Sequence, residues 1–157
     1  MQTRTQPALD PPFATLDRYY RAIDRWDLDE LVDCFSRDTI YGHPGVMKWD
    51  PKLTQPFVRG RDTVKTYLME ERKQQDSKHW ITGTGTLTLA TDLDFLERGV
   101  YYFAAVTART NNLIASVCVL FQVDAENRIS RYAPHVGSPY YNLPTSRDHI
   151  AKFTPLM

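Results

Sequence analysis

The side chains of this chain best suited to hold or move a proton at neutral pH fall in its first half. Tyr19 and Asp24 lie in one helical run, His43 ends a short strand, and His79 opens a long alternating segment. Histidine is the side chain whose ordinary titration range spans neutral pH. A carboxylate beside it can act as a base or orient it, and a tyrosine hydroxyl can donate to a carbonyl or a developing oxyanion. Together these groups would supply acid–base chemistry next to a carbonyl.

Each also has a plainer reading. Tyr19 and Asp24 sit on opposite flanks of the stripe Phe13–Leu16–Tyr20–Ile23, about 140° apart at about 100° per residue. Tyr19 can be a partly buried aromatic, and Asp24 a helix-end surface charge paired with Arg21 or a lysine-type neighbour. His43 precedes Pro44 and Gly45, where a satisfied turn residue is the alternative, and Tyr41 points to the same side two residues earlier. His79 ranks first as general acid or base and His43 second. His135, closing the last strand, ranks third, and His149 lies in the tail. Arg109 could pair with an acid across strands or bind a substrate carboxylate. Trp49 could cover a pocket mouth or pack a surface insertion.

No HxH, HExxH or CxxC spacing occurs, and there is no GxSxG, P-loop or GxGxxG. Nothing supports a metal site or a cofactor. Cys34 and Cys118 are the two cysteines, which argues against a disulfide framework.

The elements that would position these residues can be read from periodicity. Residues 1–8 are polar and expected to be loose. Asp10 followed by Pro11 and Pro12 reads as a helix N-cap with proline in the first turn. Asp27 can cap a second short helix whose buried face is Leu28, Leu31, Val32 and Phe35. Thr39–Tyr41 reads as a strand ended by Gly42, His43, Pro44 and Gly45, and residues 45–57 as an irregular loop. Gly60–Gln75 reads as a helix with Val64, Tyr67 and Leu68 on its apolar side and a solvated basic end at Arg72 and Lys73. Period two then predicts strands Lys78–Ala90, Gly99–Thr110, Leu113–Val123 and Arg128–His135, with turns at Asn111-Asn112 and at residues 124–127. Helices followed by long antiparallel strands make an α+β plan. Small residues at Ala104, Ala105, Ala108 and Ala115 could leave room for a ligand on a concave face.

At 157 residues the chain is expected to be one domain, residues 1–157, with a loose N-terminal end 1–8 and a C-terminal tail 137–157. Lys+Arg and Asp+Glu are both 19, so the formal net charge is zero, against a nucleic-acid or anionic-membrane surface. No apolar run reaches bilayer length and no leader-type run opens the chain, so a cytoplasmic location is expected.

The segments RYYRAIDRWDLDELVDCFSRDTIY, PFVRGRDTVKTYLMEER and SKHWITG resemble the SnoaL-like, or nuclear-transport-factor-2-like (NTF2-like), superfamily. That group includes ketosteroid isomerase, scytalone dehydratase, limonene-epoxide hydrolase and polyketide cyclases, and the resemblance spans roughly Leu9 to His135. Set beside ketosteroid isomerase, Tyr19 falls at the oxyanion-binding tyrosine and His43 where that family keeps its catalytic aspartate. The second oxyanion donor, an acid, falls near Val119 and is missing. Set beside scytalone dehydratase and the similar bile-acid dehydratase, His79 matches the catalytic histidine, Asp24 is similar to the acid that positions it, and Tyr19 and Tyr41 look like the tyrosines that polarise a carbonyl. The resemblance implies a cone: a curved mixed or antiparallel sheet packed on three N-terminal helices. It also implies a homodimer formed through the sheet and no cofactor. The implied activity is proton transfer beside a carbonyl (cyclisation, dehydration or isomerisation) on an apolar polyketide- or terpenoid-like substrate of bacterial secondary metabolism. His79, Asp24, Tyr19 and His43 would be catalytic, with Tyr41, Trp49, Arg109 and His135 contacting substrate. The alternative is a non-catalytic ligand-binding or protein-interaction module of the same fold.

Overall fold

In the computed structural model, the described residues are 9–43, 45–71, 77–92, 96–110, 113–136 and 140–141. Helix α1 (Pro11–Arg25) begins with prolines in its first turn, where the missing N–H groups cost nothing. Asp10 occupies the N-cap position, but its side chain makes no capping bond; its carbonyl accepts from the Ala14 N–H instead. At the other end Trp26 takes a left-handed conformation (φ 54°) and donates back to Ala22 and Ile23, turning the chain into α2 (Leu28–Asp33). Asp27 caps α2 by accepting from the Glu30 N–H, as its sequence position predicts.

Strand β1 (Phe35–Gly42) starts four residues before the expected Thr39. Exposed Arg37 and Asp38 interrupt its alternation, and its pairing shifts register between Phe35 and Ile40. The pattern therefore hid the front of the strand, and Phe35 belongs to it rather than to the face of α2. The segment expected to be irregular carries α3 (Gly45–Trp49) and β2 (Phe57–Arg59) at its ends. Gly60 (φ 89°) makes the left-handed corner before α4 (Arg61–Glu71). Strands β3 (Ser77–Leu89), β4 (Gly99–Thr110), β5 (Leu113–Val123) and β6 (Ile129–Val136) follow close to expectation. A two-residue strand, β7 (Tyr140–Tyr141), pairs with β5 inside what the sequence presents as tail. The loose end 1–8, Pro44, Arg72 and Lys73, the Asn111-Asn112 turn and His149 lie outside the described residues.

The strands form one mixed sheet in the order β2-β1-β6-β5-β4-β3, with β1 and β6 parallel. The helices pack on one face, α1 lying against β3 and α4 against β1. This is the expected α+β architecture. The main core lies between helices and sheet and includes Phe13, Leu16, Tyr19, Leu31, Phe35, Val64, Tyr67, Val119 and Phe121. Ala104, Ala108 and Ala115 share this helix-side face, while Ala105 points the other way. A register shift between Ile81 and Gly83 bends β3 near its start. Across the sheet, Leu96, Tyr101, Leu120 and Ala133 form a second, smaller apolar cluster. Among the described residues no helix is long and apolar enough to cross a membrane.

Candidate active site

Asp24 projects from the last turn of α1, an electrostatically poor place for an acid because the carbonyl end of a helix carries partial negative charge. Three donors surround it. The His79 ring meets Asp24 Oδ1 through Nδ1 at 2.6 Å, the His79 backbone N–H donates to Oδ2 at 2.9 Å, and the Ser77 hydroxyl donates to Oδ1 at 3.3 Å. Both side chains are largely sheltered, 14% exposed for His79 and 16% for Asp24. Tyr20 stacks on the imidazole, 4.7 Å between centroids and 16° between planes. The ring is thus fixed by a carboxylate at its edge and an aromatic at its face. A carboxylate only accepts, so Nδ1 carries a proton and, in the neutral ring, the lone pair is left on Nε2. That is the form a general base requires.

A second histidine sits beyond a group of tyrosines. The Tyr19 and Tyr41 hydroxyls lie 3.2 Å apart, and those of Tyr20 and Tyr132 lie 3.0 Å apart. Tyr132 joins the two pairs: its ring stacks on Tyr41 at 5.0 Å and meets Tyr19 edge-on at 5.3 Å. Burial pushes the phenols of Tyr19, Tyr20 and Tyr132 up from the ordinary range, and for Tyr19 and Tyr132 neighbouring tyrosines push the same way. They therefore remain protonated donors at any physiological pH. Tyr41 stacks in turn near His43 (6.4 Å, 17°), whose Nδ1 lies 2.9 Å from the Tyr67 hydroxyl of α4. Trp49 packs edge-on against Tyr67 at 5.5 Å, so it buttresses the partner of His43.

The structure therefore joins Asp24 to His79, Tyr19 to Tyr41, and places His43 beside Tyr41. The plain reading of Asp24 as a partner of Arg21 does not hold, since Arg21 pairs with Asp17. Two expected substrate contacts are set apart from these groups. Arg109 is exposed between Lys78 and Ile114 on the sheet face opposite His79. His135 is exposed opposite Cys118, on the other face of β6 from Tyr132. Val119 is fully buried on the helix side, where the missing acid was expected. Sequence reasoning did not single out Ser77, Tyr132 or the link from Tyr67 to His43. Tyr67 carried a signal, lying one helical turn from buried Val64 on the apolar side of α4. Tyr132 lay in an alternating strand with nothing to mark its hydroxyl. Among the described residues no group of three or more His, Cys, Asp or Glu side chains could hold a metal ion.

No protein-family model and no curated protein matches the chain. Solved structures do. A ketosteroid isomerase-like protein from Kribbella flavida superposes with a TM-score of 0.55 at 15% identity, covering 89% of this chain and 87% of that one. A SnoaL-like protein of unknown function from Burkholderia thailandensis gives 0.55 at 14% identity over 84% of this chain and 100% of the other. The protein has the NTF2-like fold. An LEH-like epoxide hydrolase from M. tuberculosis superposes with a TM-score of 0.50 at 16% identity, covering 92% of this chain and 96% of that one. These NTF2-like neighbours bear out the resemblance read from the sequence at the level of fold.

Proposed function

We propose that this NTF2-like chain is a cofactor-independent acid–base enzyme acting beside a carbonyl or epoxide oxygen of an apolar, polyketide- or terpenoid-like molecule. The observation that carries the reading is the 2.6 Å contact between Asp24 Oδ1 and His79 Nδ1, which holds the imidazole in one tautomer with Nε2 left to take a proton. Asp24 positions the ring and stabilises the imidazolium that forms. The protonated tyrosines supply hydroxyl donors to a substrate oxygen. His43, fixed by Tyr67, returns a proton to a leaving hydroxyl or opened epoxide. Water loss, a shifted double bond and ring closure are all within reach of these parts. The aromatic rings of Tyr20, Tyr41, Trp49 and Tyr67 suit an apolar substrate. The outer sheet face, where Trp80 is 42% and Ile114 36% exposed, supports a homodimer through the sheet.

A binding module is the competing reading. It is favoured by the way the tyrosine hydroxyls already satisfy one another in the core. The test is turnover of a panel of β-hydroxyketones, β,γ-enones and terpenoid epoxides by wild type and His79→Ala, with folding checked by circular dichroism. The enzyme reading expects turnover of at least one class and its loss in the folded variant. Equal turnover in the variant removes His79 from the mechanism, and panel compounds that bind without reacting favour the module.

A further inference from the structure

The face of the sheet turned away from the helices carries a recess of its own. It measures about 260 Å³ and is lined by Gln55, Phe57, Arg59, Asp92, Leu96, Glu97 and Arg131. None of these residues belongs to the histidine and tyrosine groups of the helix side. Register explains why two guanidinium groups share the recess. Ile40 of β1 is the pairing partner of Arg59 on β2 and of Arg131 on β6. The two arginines therefore leave the same face of the two strands that flank β1, at one level, with about 10 Å between their backbones from twice the strand spacing. Both side chains can converge on one small group.

The two arginines are held differently. Arg131 is largely sheltered, its side chain 16% exposed, and it meets Glu97 at 3.2 Å, an acid that is itself 77% exposed. Arg59 lies over the Phe57 ring, its guanidinium carbon 5.4 Å from the centroid, a cation–π contact. Asp92 is engaged elsewhere: it accepts from the Arg98 N–H and sits 3.8 Å from the Arg98 side chain. Glu97, which pairs with the sheltered guanidinium, is thus a solvent-facing side chain whose place an entering anion could take. Phe57 and buried Leu96 add apolar wall, and Gln55 adds an amide.

We propose that this recess is a binding site for a small organic oxyanion, a carboxylate or phosphate monoester on a short apolar body. Arg131 and Arg59 grip the oxyanion, Phe57 and Leu96 cover the body, and Glu97 is the internal competitor that the ligand displaces. Paired N–H donors matched to carboxylate or phosphate oxygens are the chemistry that makes arginine the usual choice for such groups. The proposal stands apart from the reading of His79 and needs no turnover to test.

The test is a backbone NMR titration of the full chain with benzoate, phenyl phosphate and inorganic phosphate, repeated on Arg131→Gln, Arg59→Gln and Glu97→Gln. The expected result is saturable shifts at Phe57, Arg59, Leu96 and Arg131 with at least one organic probe. Preference for benzoate or for phenyl phosphate identifies the headgroup, and weaker binding of inorganic phosphate supports the role of the apolar wall. Arg131→Gln and Arg59→Gln are each expected to weaken binding about tenfold or more, as loss of a charge-assisted contact does. Glu97→Gln is expected to tighten it several-fold, a sign that a merely structural ion pair would not give. Arg59 is an exposed residue of a short edge strand, so its variant keeps the test open if Arg131→Gln fails to fold. Absence of saturable shifts with all three probes, or affinities unchanged in Arg59→Gln and Glu97→Gln, overturns the proposal.

Discussion

The two buried-side histidines are fixed by opposite means. His79, on β3, meets a carboxylate through Nδ1, and its own backbone N–H holds the other oxygen of that carboxylate. His43, just beyond β1, meets a phenol through Nδ1. A carboxylate can only accept, so it decides where the imidazole proton sits; a phenol can donate or accept, so it does not. With the phenol as donor, neutral His43 carries its proton on Nε2 and presents a hydrogen-bond donor where His79 presents a lone pair. With Tyr67 as donor, the base and acid roles proposed for His79 and His43 would follow from the type of each ring's partner. This division fits a reaction that removes a proton at one position and delivers one at another.

The strongest way to break the contrast is to remove the charge from the first pair while keeping its shape. Asp24→Asn is expected to lower kcat roughly 10²–10⁴-fold with a small change in KM, because the amide can hold His79 in the wrong tautomer. Steady-state kinetics on whichever panel substrate turns over would check this. A loss below about threefold would mean that Asp24 is a structural partner only. His43→Gln comes next, at roughly 10–100-fold, and is expected to spare substrates whose leaving group needs no proton. Tyr67→Phe should cost less, about three- to tenfold, since it removes the orienting hydroxyl but leaves the imidazole in place. Measuring both variants on a substrate with a leaving hydroxyl and on one that only isomerises would sharpen the assignment of His43. Equal losses on the two would contradict a role in leaving-group protonation.

The region between the histidines gives the smallest effect near neutral pH. Tyr19, Tyr20 and Tyr132 keep their protons to higher pH when folded than in the unfolded chain, because burial disfavours the phenolate. The unfolded chain releases its phenol protons near pH ~10 while the folded protein retains them. Stability should therefore be flat with respect to these groups below that range and fall as pH rises through it, by up to about 1.4 kcal/mol per pH unit for each tyrosine. Urea unfolding between pH 7 and pH 11 would show this. In Tyr20→Phe the slope should be shallower; an unchanged slope would place the titrating groups elsewhere.

Much of the fold was legible because its signals are long. The strands from Gly99 to Val123 alternate over ten or more residues each, and α1 carries a complete apolar stripe. What escaped was short or broken. The front of β1 is interrupted by exposed Arg37 and Asp38, and β2 has only three residues. Of the site, His79 ranks first from its residue type and place at a strand start, and the family resemblance pairs it with Asp24, which helical spacing alone leaves on a flank with a plainer reading. Arg109 and His135 were singled out by residue type, but a single step of strand alternation decides the face, and both fell on the far one. Tyr132 was invisible because its importance comes from pairing across more than one hundred residues with Tyr20, a relation that local patterning does not carry.

The most direct test needs no substrate. Long-range ¹⁵N–¹H correlation of the imidazole rings reports which nitrogen of each neutral histidine carries the proton. For His79 the expected result is a protonated Nδ1 and a bare Nε2 in the wild type, with that preference lost in Asp24→Asn. A neutral His79 protonated on Nε2, or a tautomer unaffected by Asp24→Asn, would contradict the assignment of His79 as an Asp24-oriented base.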